Sequence, residues 1–249
     1  MPQRDKPRPR PPVPADDWAL FLDVDGCLVD FAETPDAVSV PARLRDTLEV
    51  LATRLDGALA LVSGRPLQGI DALFAPLRLN AAGLHGLERR SGRGTLDAPE
   101  APAALARVRE DADQLARQWP GVVVEDKGAT LALHWRAAPA ARDPLRDFAD
   151  AALPRLPGYQ LQHGNQVVEL RPANGDKGSA IDALLEEPPF RGRVPVFAGD
   201  DITDESGFAI VNRRGGMSVL VGTREPSAAH YALRSPEAVR RWLAAGAAA

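Results

Sequence analysis

The chain has 249 residues, a formal charge of −4 and one cysteine, Cys27. That length suits one large domain, or a core domain with a modest insertion, built on a hydrophobic core that needs no staples. The mild acidity offers no overall attraction to nucleic acid or anionic membranes, a lone cysteine excludes an intrachain disulfide and fits a reducing cytoplasm, and no bilayer-length or secretory apolar segment is expected.

Residues 1–14 are rich in Pro and Arg and poor in apolar side chains, so they read as a mobile tail, with an electrostatic tether as the sharper alternative. Trp18-Ala-Leu-Phe-Leu-Asp-Val24 is a nearly continuous apolar run, the signature of a buried parallel strand. Leu44, Leu48, Leu51 and Leu55 recur at helical spacing over residues 41–56. Ala58-Leu-Ala-Leu-Val62 is a second buried strand, residues 66–74 a helix and residues 77–82 a third strand. Strand and helix in alternation predict a parallel sheet with helices on both faces.

The rhythm changes after Gly86. Short segments at 87–90 and 94–96 flank a turn at Ser91-Gly-Arg-Gly94, and residues 101–119 form a helix. Strands at 121–125 and 129–135 flank Asp126-Lys-Gly128, a helix spans 139–153, and a last hairpin turns at His163-Gly-Asn165. Paired strands with helices predict a small α+β insert over 87–171, between core segments 15–86 and 172–249. The core resumes with a helix from Asp176, a strand at 193–198, a helix, the strand Ser218-Val-Leu-Val221 and a last helix through Trp242, with residues 244–249 expected to fray.

Four chemically suggestive clusters fall where this reading puts strand ends or helix starts. Asp23 and Asp25 leave the first strand one residue apart. One carboxylate can attack phosphorus to form an acyl phosphate, while a second protonates the leaving alkoxide and then deprotonates water. Two acids beside a phosphate dianion call for a hard cation such as Mg²⁺, and Gly26 lets the backbone turn tightly. Taken alone, Asp-Val-Asp-Gly reads equally well as a turn. Asp200 and Asp201 form a second acidic pair after a buried strand, with one a candidate metal ligand, whereas Asp204 and Glu205 also suit a helix start. Ser63, ahead of Gly64, is a candidate phosphoryl binder or an ordinary helix cap. Lys177 is a candidate for neutralising the nucleophile and the transferring group, or a surface charge. Arg65 binds phosphate or caps a neighbouring element on this reading.

In order, Asp23-Val-Asp-Gly-Cys-Leu, Ser63-Gly-Arg, Lys177-Gly and Gly199-Asp-Asp-Ile-Thr-Asp-Glu resemble the four motifs of the haloacid dehalogenase superfamily. The resemblance implies a Rossmann-like α/β core with an inserted α+β cap domain. It implies Asp23 as nucleophile, Asp25 as general acid and base, and Mg²⁺ held by Asp23, the Asp25 main-chain carbonyl and Asp200, with Gly26, Asp201 and Asp204 in support. Cys27 departs from the threonine common there, and a thiol beside the nucleophile carries an expectation of oxidation sensitivity.

Val124-Glu-Asp-Lys-Gly128, Leu131-Ala-Leu-His-Trp-Arg136, Val168-Glu-Leu-Arg-Pro172 and Gly175-Asp-Lys-Gly178 further resemble the trehalose-6-phosphate phosphatases. This implies a sugar phosphate substrate whose hydroxyls meet Glu125, Lys127, Arg136 and Glu169, a cap that closes over it, and a trehalose-6-phosphate synthase as pathway partner. Without the resemblance, Glu125 and Lys127 read as a solvated hairpin, and His134 as a structural residue or a ligand. The alternatives are a capped phosphatase for sucrose phosphate or mannosyl phosphoglycerate, and, from another class, a phosphoaspartate receiver module. Asp25 and the large insert count against the receiver, and the intact acids count against a binding-only relative.

Overall fold

The computed structural model describes residues 8–30, 38–91, 94–96 and 100–248. β1 (Trp18–Leu22) is buried along its whole length, as a strand covered on both faces must be. α1 (Ala42–Arg54) follows and buries Leu44, Leu48 and Leu51 on one stripe. β2 (Leu59–Val62), α2 (Leu67–Phe74) and β3 (Asn80–Gly83) continue the alternation, and β4 (Glu88–Ser91) and β5 (Gly94–Leu96) extend it.

The inserted segment runs α3 (Ala103–Ala116), β6 (Val123–Asp126), β7 (Leu131–His134), α4 (Arg142–Ala152), β8 (Tyr159–Gly164) and β9 (Val167–Pro172). The core then resumes with α5 (Lys177–Leu185), β10 (Val194–Gly199), α6 (Glu205–Arg213), β11 (Met217–Val221), β12 (Tyr231–Leu233) and α7 (Pro236–Ala247).

The core sheet has the order β12-β11-β10-β1-β2-β3-β4-β5. It is parallel from β12 to β3, and β4 joins β3 antiparallel. α1 packs with α7, and α5 with α6. Phe21 stacks on Phe190 at 5.3 Å between ring centroids, and Phe197 meets Phe208 at 5.4 Å. The insert has its own antiparallel sheet, β6-β7-β9-β8. Leu131, Leu133, Val168 and Leu170 on one face of it share a separate apolar core with Leu105 and Val108 of α3 and Leu145 and Ala149 of α4.

The chain divides into two compact units, Met1–Thr95 with Asp176–Ala249, and Leu96–Gly175. The sequence reading placed 87–95 in the insert. Pairing of Arg89 with Ala82 and of Arg90 with Ala81 ties β4 to the core sheet instead, because an edge strand's open backbone groups accept another strand. The turn residues 92 and 93 of that hairpin lie outside the described residues. β12 was not foreseen: three residues carry too little pattern to mark a strand.

The tail reading also changes. Its residues 1–7 lie outside the described residues, but 8–14 lie along the core. Arg8 pairs with Glu225 and donates to the Ala229 and Ser227 carbonyls, while the Pro9 carbonyl accepts from Ala232 N–H at 3.0 Å. The Trp242 indole N–H donates to the Pro12 carbonyl at 2.6 Å. Proline loses little freedom on ordering and keeps its carbonyl acceptor, so a Pro-rich strap can dock without a large apolar surface. Residues 244–247, expected to fray, belong to α7, where Gly246 packs so closely on Pro14 that a Cβ would fall 2.6 Å from Pro14 Cγ. Ala249 lies outside the described residues.

Deleting residues 1–14 removes the two Arg8 bonds to carbonyls, the Ala232 and Trp242 bonds and the Arg8–Glu225 pair, and is expected to cost about 4 kcal/mol, at roughly 1 kcal/mol per lost hydrogen bond. Urea unfolding of the truncated chain checks this, and an unchanged midpoint would return the segment to the status of a tail.

Candidate active site

β1 stands where the strand order reverses. The chain passes from β1 to β2 and β3 on one side, then returns through β10 to β11 and β12 on the other. Open α/β sheets bind ligands beyond the carboxyl ends of the strands at such a point. Leu22 lies opposite Leu61 of β2 and Ala198 of β10, so the three strands end nearly level. Asp23, Ser63 and Asp200 leave the sheet there, with Asp23 N–H donating to the Ala198 carbonyl at 2.9 Å.

Lys177 opens α5, whose first turn is held by a reciprocal cap. Ser179 N–H donates to the Asp176 carboxylate at 2.8 Å, and Asp176 N–H to Ser179 Oγ at 3.2 Å. This delivers the Lys177 ammonium, almost fully buried, between two carboxylates. Nζ donates to Asp23 Oδ1 at 2.8 Å and to Asp204 Oδ1 at 2.6 Å. Asp204 is wholly buried, and its other oxygen accepts the N–H groups of Asp200 and Asp201, each at 2.8 Å. Gly199 makes this possible: a Cβ there would lie 2.3 Å from Asp204 Cγ.

The tight turn after β1 runs through Gly26 at φ 82°, whose N–H donates to the Val29 carbonyl. It presents Asp25 to Arg65, which grips both carboxylate oxygens at 2.7 and 2.8 Å. Arg65 is thus Asp25's partner here rather than a helix cap. Ser63 is buried, and its Oγ accepts Arg65 N–H at 3.1 Å. The Asp201 carboxylate turns to Ile202 N–H at 2.7 Å and caps the short turn at 202–204.

Burial raises the Asp23 carboxyl well above its ordinary range, and the Asp204 and Asp200 charges add to this against the opposing Lys177. Asp200 is pushed up to about 7 by burial and then by Asp204. Burial works against the Lys177 charge, but Asp204 and Asp23 outweigh it and hold the ammonium protonated. Cys27 does not meet the expectation of oxidation sensitivity. Its thiol is completely buried and contacts the Ala198 carbonyl, and burial together with the Asp23 charge raises its pKa, so the reactive thiolate is suppressed.

Asp23, Asp200 and Asp204 offer oxygens within 4.8 Å of one another, a cluster able to hold a metal ion. Asp204 already spends both oxygens on Lys177 and two peptide N–H groups. Asp200 Oδ1, by contrast, is buried with no hydrogen-bond partner among the described residues. An orphaned carboxylate oxygen beside a second carboxylate fits a small hard cation. Arg224, which the sequence reading missed, donates to the Asp200 and Asp201 carbonyls at 3.3 and 3.2 Å and pairs with Glu205. It sits more than twenty residues further along the chain, in a loop with no local signature.

In the Leu96–Gly175 unit, strand register aligns Glu125 with Ala132, Ala132 with Glu169, and Glu169 with Gln162. Side chains alternate along a strand, so these residues share the face opposite the apolar core. Lys127 Nζ lies 2.7 Å from Glu169 Oε1 and 3.7 Å from Glu125 Oε2, and His134 Nε2 lies 2.8 Å from Glu125 Oε2. Burial opposes the Glu125 charge, but the His134 bond and the Lys127 ammonium outweigh it and hold the carboxyl below its usual range. Arg136, half-buried, follows Trp135 just beyond β7. The structure thus gathers Glu125, Lys127 and Glu169 and adds His134. Within the core unit it joins Asp23, Lys177, Asp200 and Asp204, and separately Asp25, Arg65 and Ser63. Among the described residues no helix is long and apolar enough to cross a membrane.

The sequence model of the trehalose-phosphatase family matches residues 21–237. A probable trehalose-phosphate phosphatase of Sinorhizobium fredii is 47% identical over 232 residues, covering 92% of this chain and 88% of the relative. The trehalose-6-phosphate phosphatase of Escherichia coli is 45% identical over 227 residues, covering 91% and 85%. Among solved structures, a trehalose-6-phosphate phosphatase related protein superposes with a TM-score of 0.71 at 25% identity, covering 90% of this chain and 94% of that one. The C-terminal domain of the C. albicans trehalose-6-phosphate phosphatase shares the fold at a TM-score of 0.76 and 22% identity, covering 92% and 91%. With a match over most of its length and relatives this similar, the chain, an α/β core interrupted by an inserted unit, belongs to the trehalose-phosphatase family.

Proposed function

We propose that the chain hydrolyses trehalose 6-phosphate to trehalose and phosphate through a phosphoaspartate on Asp23. The observation that carries this reading is the buried Asp23 carboxylate, held by Lys177 at the switch point of the sheet in a chain of this family. Lys177 fixes Oδ1, so the other Asp23 oxygen is the attacking atom. It bonds to phosphorus as the sugar alkoxide leaves, and Asp25 gives that alkoxide a proton. Asp25 then takes a proton from the water that cleaves the acyl phosphate. Both Asp25 oxygens face Arg65 in this structure, so the acid role requires Asp25 to turn from that pairing as substrate binds. The Ser63 hydroxyl and Lys177 hold phosphoryl oxygens as negative charge builds.

The residues fit Mg²⁺, with Asp23, Asp200 and the Asp25 main-chain carbonyl as its ligands. When bound, it neutralises the phosphate and the acids that surround it. Sugar recognition falls to Glu125, Lys127, Arg136 and Glu169, because hydrogen bonds to charged groups distinguish hydroxylated substrates well. We further assign the protein to the cytoplasm, downstream of an enzyme that makes the phosphorylated disaccharide, a location that a lone cysteine suits.

Phosphate release across a panel of sugar phosphates, with and without Mg²⁺, tests the reading. Trehalose 6-phosphate is expected to lead sucrose phosphate, mannosyl phosphoglycerate and glucose 6-phosphate, and comparable rates on all of them would sink the specificity. Asp23→Asn is expected to lower turnover by about 10³-fold or more, as loss of a nucleophile does. Glu169→Ala is expected to raise KM by roughly ten- to a hundredfold, the value of a hydrogen bond to a charged group, with a smaller change in kcat. A kcat loss with KM intact would move Glu169 out of substrate binding.

Asp200 supplies a pH prediction. Its folded-state pKa of about 7 lies above the ordinary 3.8, so between these values the folded chain binds the extra proton. The stability this contributes is full at low pH and lost as pH rises through about 7. Metal-free Asp200→Asn should therefore gain in Tm over the metal-free parent as pH rises from roughly 4 to 7, and hold that gain above. Mg²⁺ should raise the parent's Tm more at the upper pH, because it binds ionised carboxylates. Parallel pH profiles of parent and variant would contradict this account.

A further inference from the structure

We propose that Arg224 is a positioning residue for the cation site, acting through the main chain of Asp200 and Asp201. The inference rests on the proposed reading that Asp200 is a metal ligand, and concerns how this chain aims it. The two residues leave β10 in a loop with no ladder to hold it, yet nearly every backbone group there has a partner. The N–H groups of Asp200 and Asp201 both go to Asp204 Oδ2 at 2.8 Å. The carbonyls both go to Arg224, Nε to Asp200 O at 3.3 Å and a terminal nitrogen to Asp201 O at 3.2 Å. The loop is therefore clamped from two sides, by a buried carboxylate and by a guanidinium.

What the clamp leaves over is the Asp200 side chain. Its Oδ1 is buried with no hydrogen-bond partner among the described residues. With its carbonyl engaged by Arg224, Asp200 offers a cation the unpartnered Oδ1 of its carboxylate. Arg224 is itself tied down. It pairs with Glu205, the first residue of α6, and donates to the Pro226 carbonyl at 2.9 Å. Glu205 also accepts Ala228 N–H at 2.8 Å, so the loop after β11 is fastened to the start of α6 at both ends. Pairing with Glu205 offsets the guanidinium charge beside the cation site. The planar fork, which reaches two carbonyls at once, is something a lysine cannot reproduce. Partners that orient metal ligands from outside commonly set affinity by ten- to a hundredfold, and Arg224 occupies that place.

The test measures Mg²⁺ binding to the full chain by calorimetry and by thermal shift, for the parent, Arg224→Ala, Arg224→Lys and Glu205→Ala. Arg224→Ala is expected to weaken Mg²⁺ binding by about tenfold or more. Arg224→Lys should fall between it and the parent, and Glu205→Ala should shift binding in the same direction. KM for the sugar phosphate at saturating Mg²⁺ should hold within about twofold, which a general loss of structure would not allow. Folded Arg224→Ala that binds Mg²⁺ as tightly as the parent, or more tightly, overturns the proposal. If that variant does not fold, Arg224→Lys and Glu205→Ala carry the test, and parental affinity in both overturns it equally. A parent that shows no Mg²⁺ response fails the metal reading itself, a result distinct from a responding parent matched by its variants.

Discussion

The ammonium of Lys177, buried between Asp23 and Asp204, is the contact on which the core site depends. A charge taken out of water is costly unless its partners are close and well aligned, and both partners here lie at hydrogen-bond distance. The arrangement remains short of positive charge. Asp23, Asp200 and Asp204 set three carboxylates against one ammonium, which leaves two negative charges when all are ionised. That imbalance, acting on top of burial, raises both Asp23 and Asp200, and a divalent cation would cancel it. The core thus holds its acids in a strained electrostatic state that a divalent cation would relieve.

Little of this would work without a backbone that brings distant parts of the chain to one place. Lys177 is 154 residues from Asp23 in sequence, yet the parallel register of β1 with β10 and the cap at the start of α5 set the two side by side. Gly199 shows how narrow the tolerance is, since any side chain there would occupy the space of the Asp204 carboxylate. In the Leu96–Gly175 unit a simpler rule suffices. Period-two alternation sends Leu131, Leu133 and Val168 to one face, and leaves Glu125 and Glu169 on the other with the small Ala132 between them. Lys127 then holds two carboxylates together that would otherwise repel.

Asp204 and Arg224 mark where local reading of the chain stops. Thr203-Asp-Glu205 looks like the acidic start of a helix, and Glu205 does open α6. Asp204, however, turns inward to Lys177 and two peptide groups, a choice made by the cavity beside Gly199 and invisible in its neighbours. Arg65 is similar. Its position after Ser-Gly suggested phosphate or a cap, and the turn at Gly26 decided for Asp25. The strap at 8–14 looked too polar to order because composition counts apolar area, whereas its attachment runs through carbonyls and one arginine.

By itself, then, the sequence determined the alternation of buried strands and helices, the interruption by a second unit, and the order of Asp23, Ser63, Lys177 and Asp200 along the chain. These follow from local hydrophobic period and from residues whose chemistry is legible one at a time. The tertiary structure alone decided which acid meets which cation, which carboxylate oxygen is left without a partner, that Cys27 is sealed away, and that β4 belongs to the core sheet. Each of those depends on contacts between segments far apart in sequence, where distance, burial and competition for hydrogen bonds settle what no local pattern encodes.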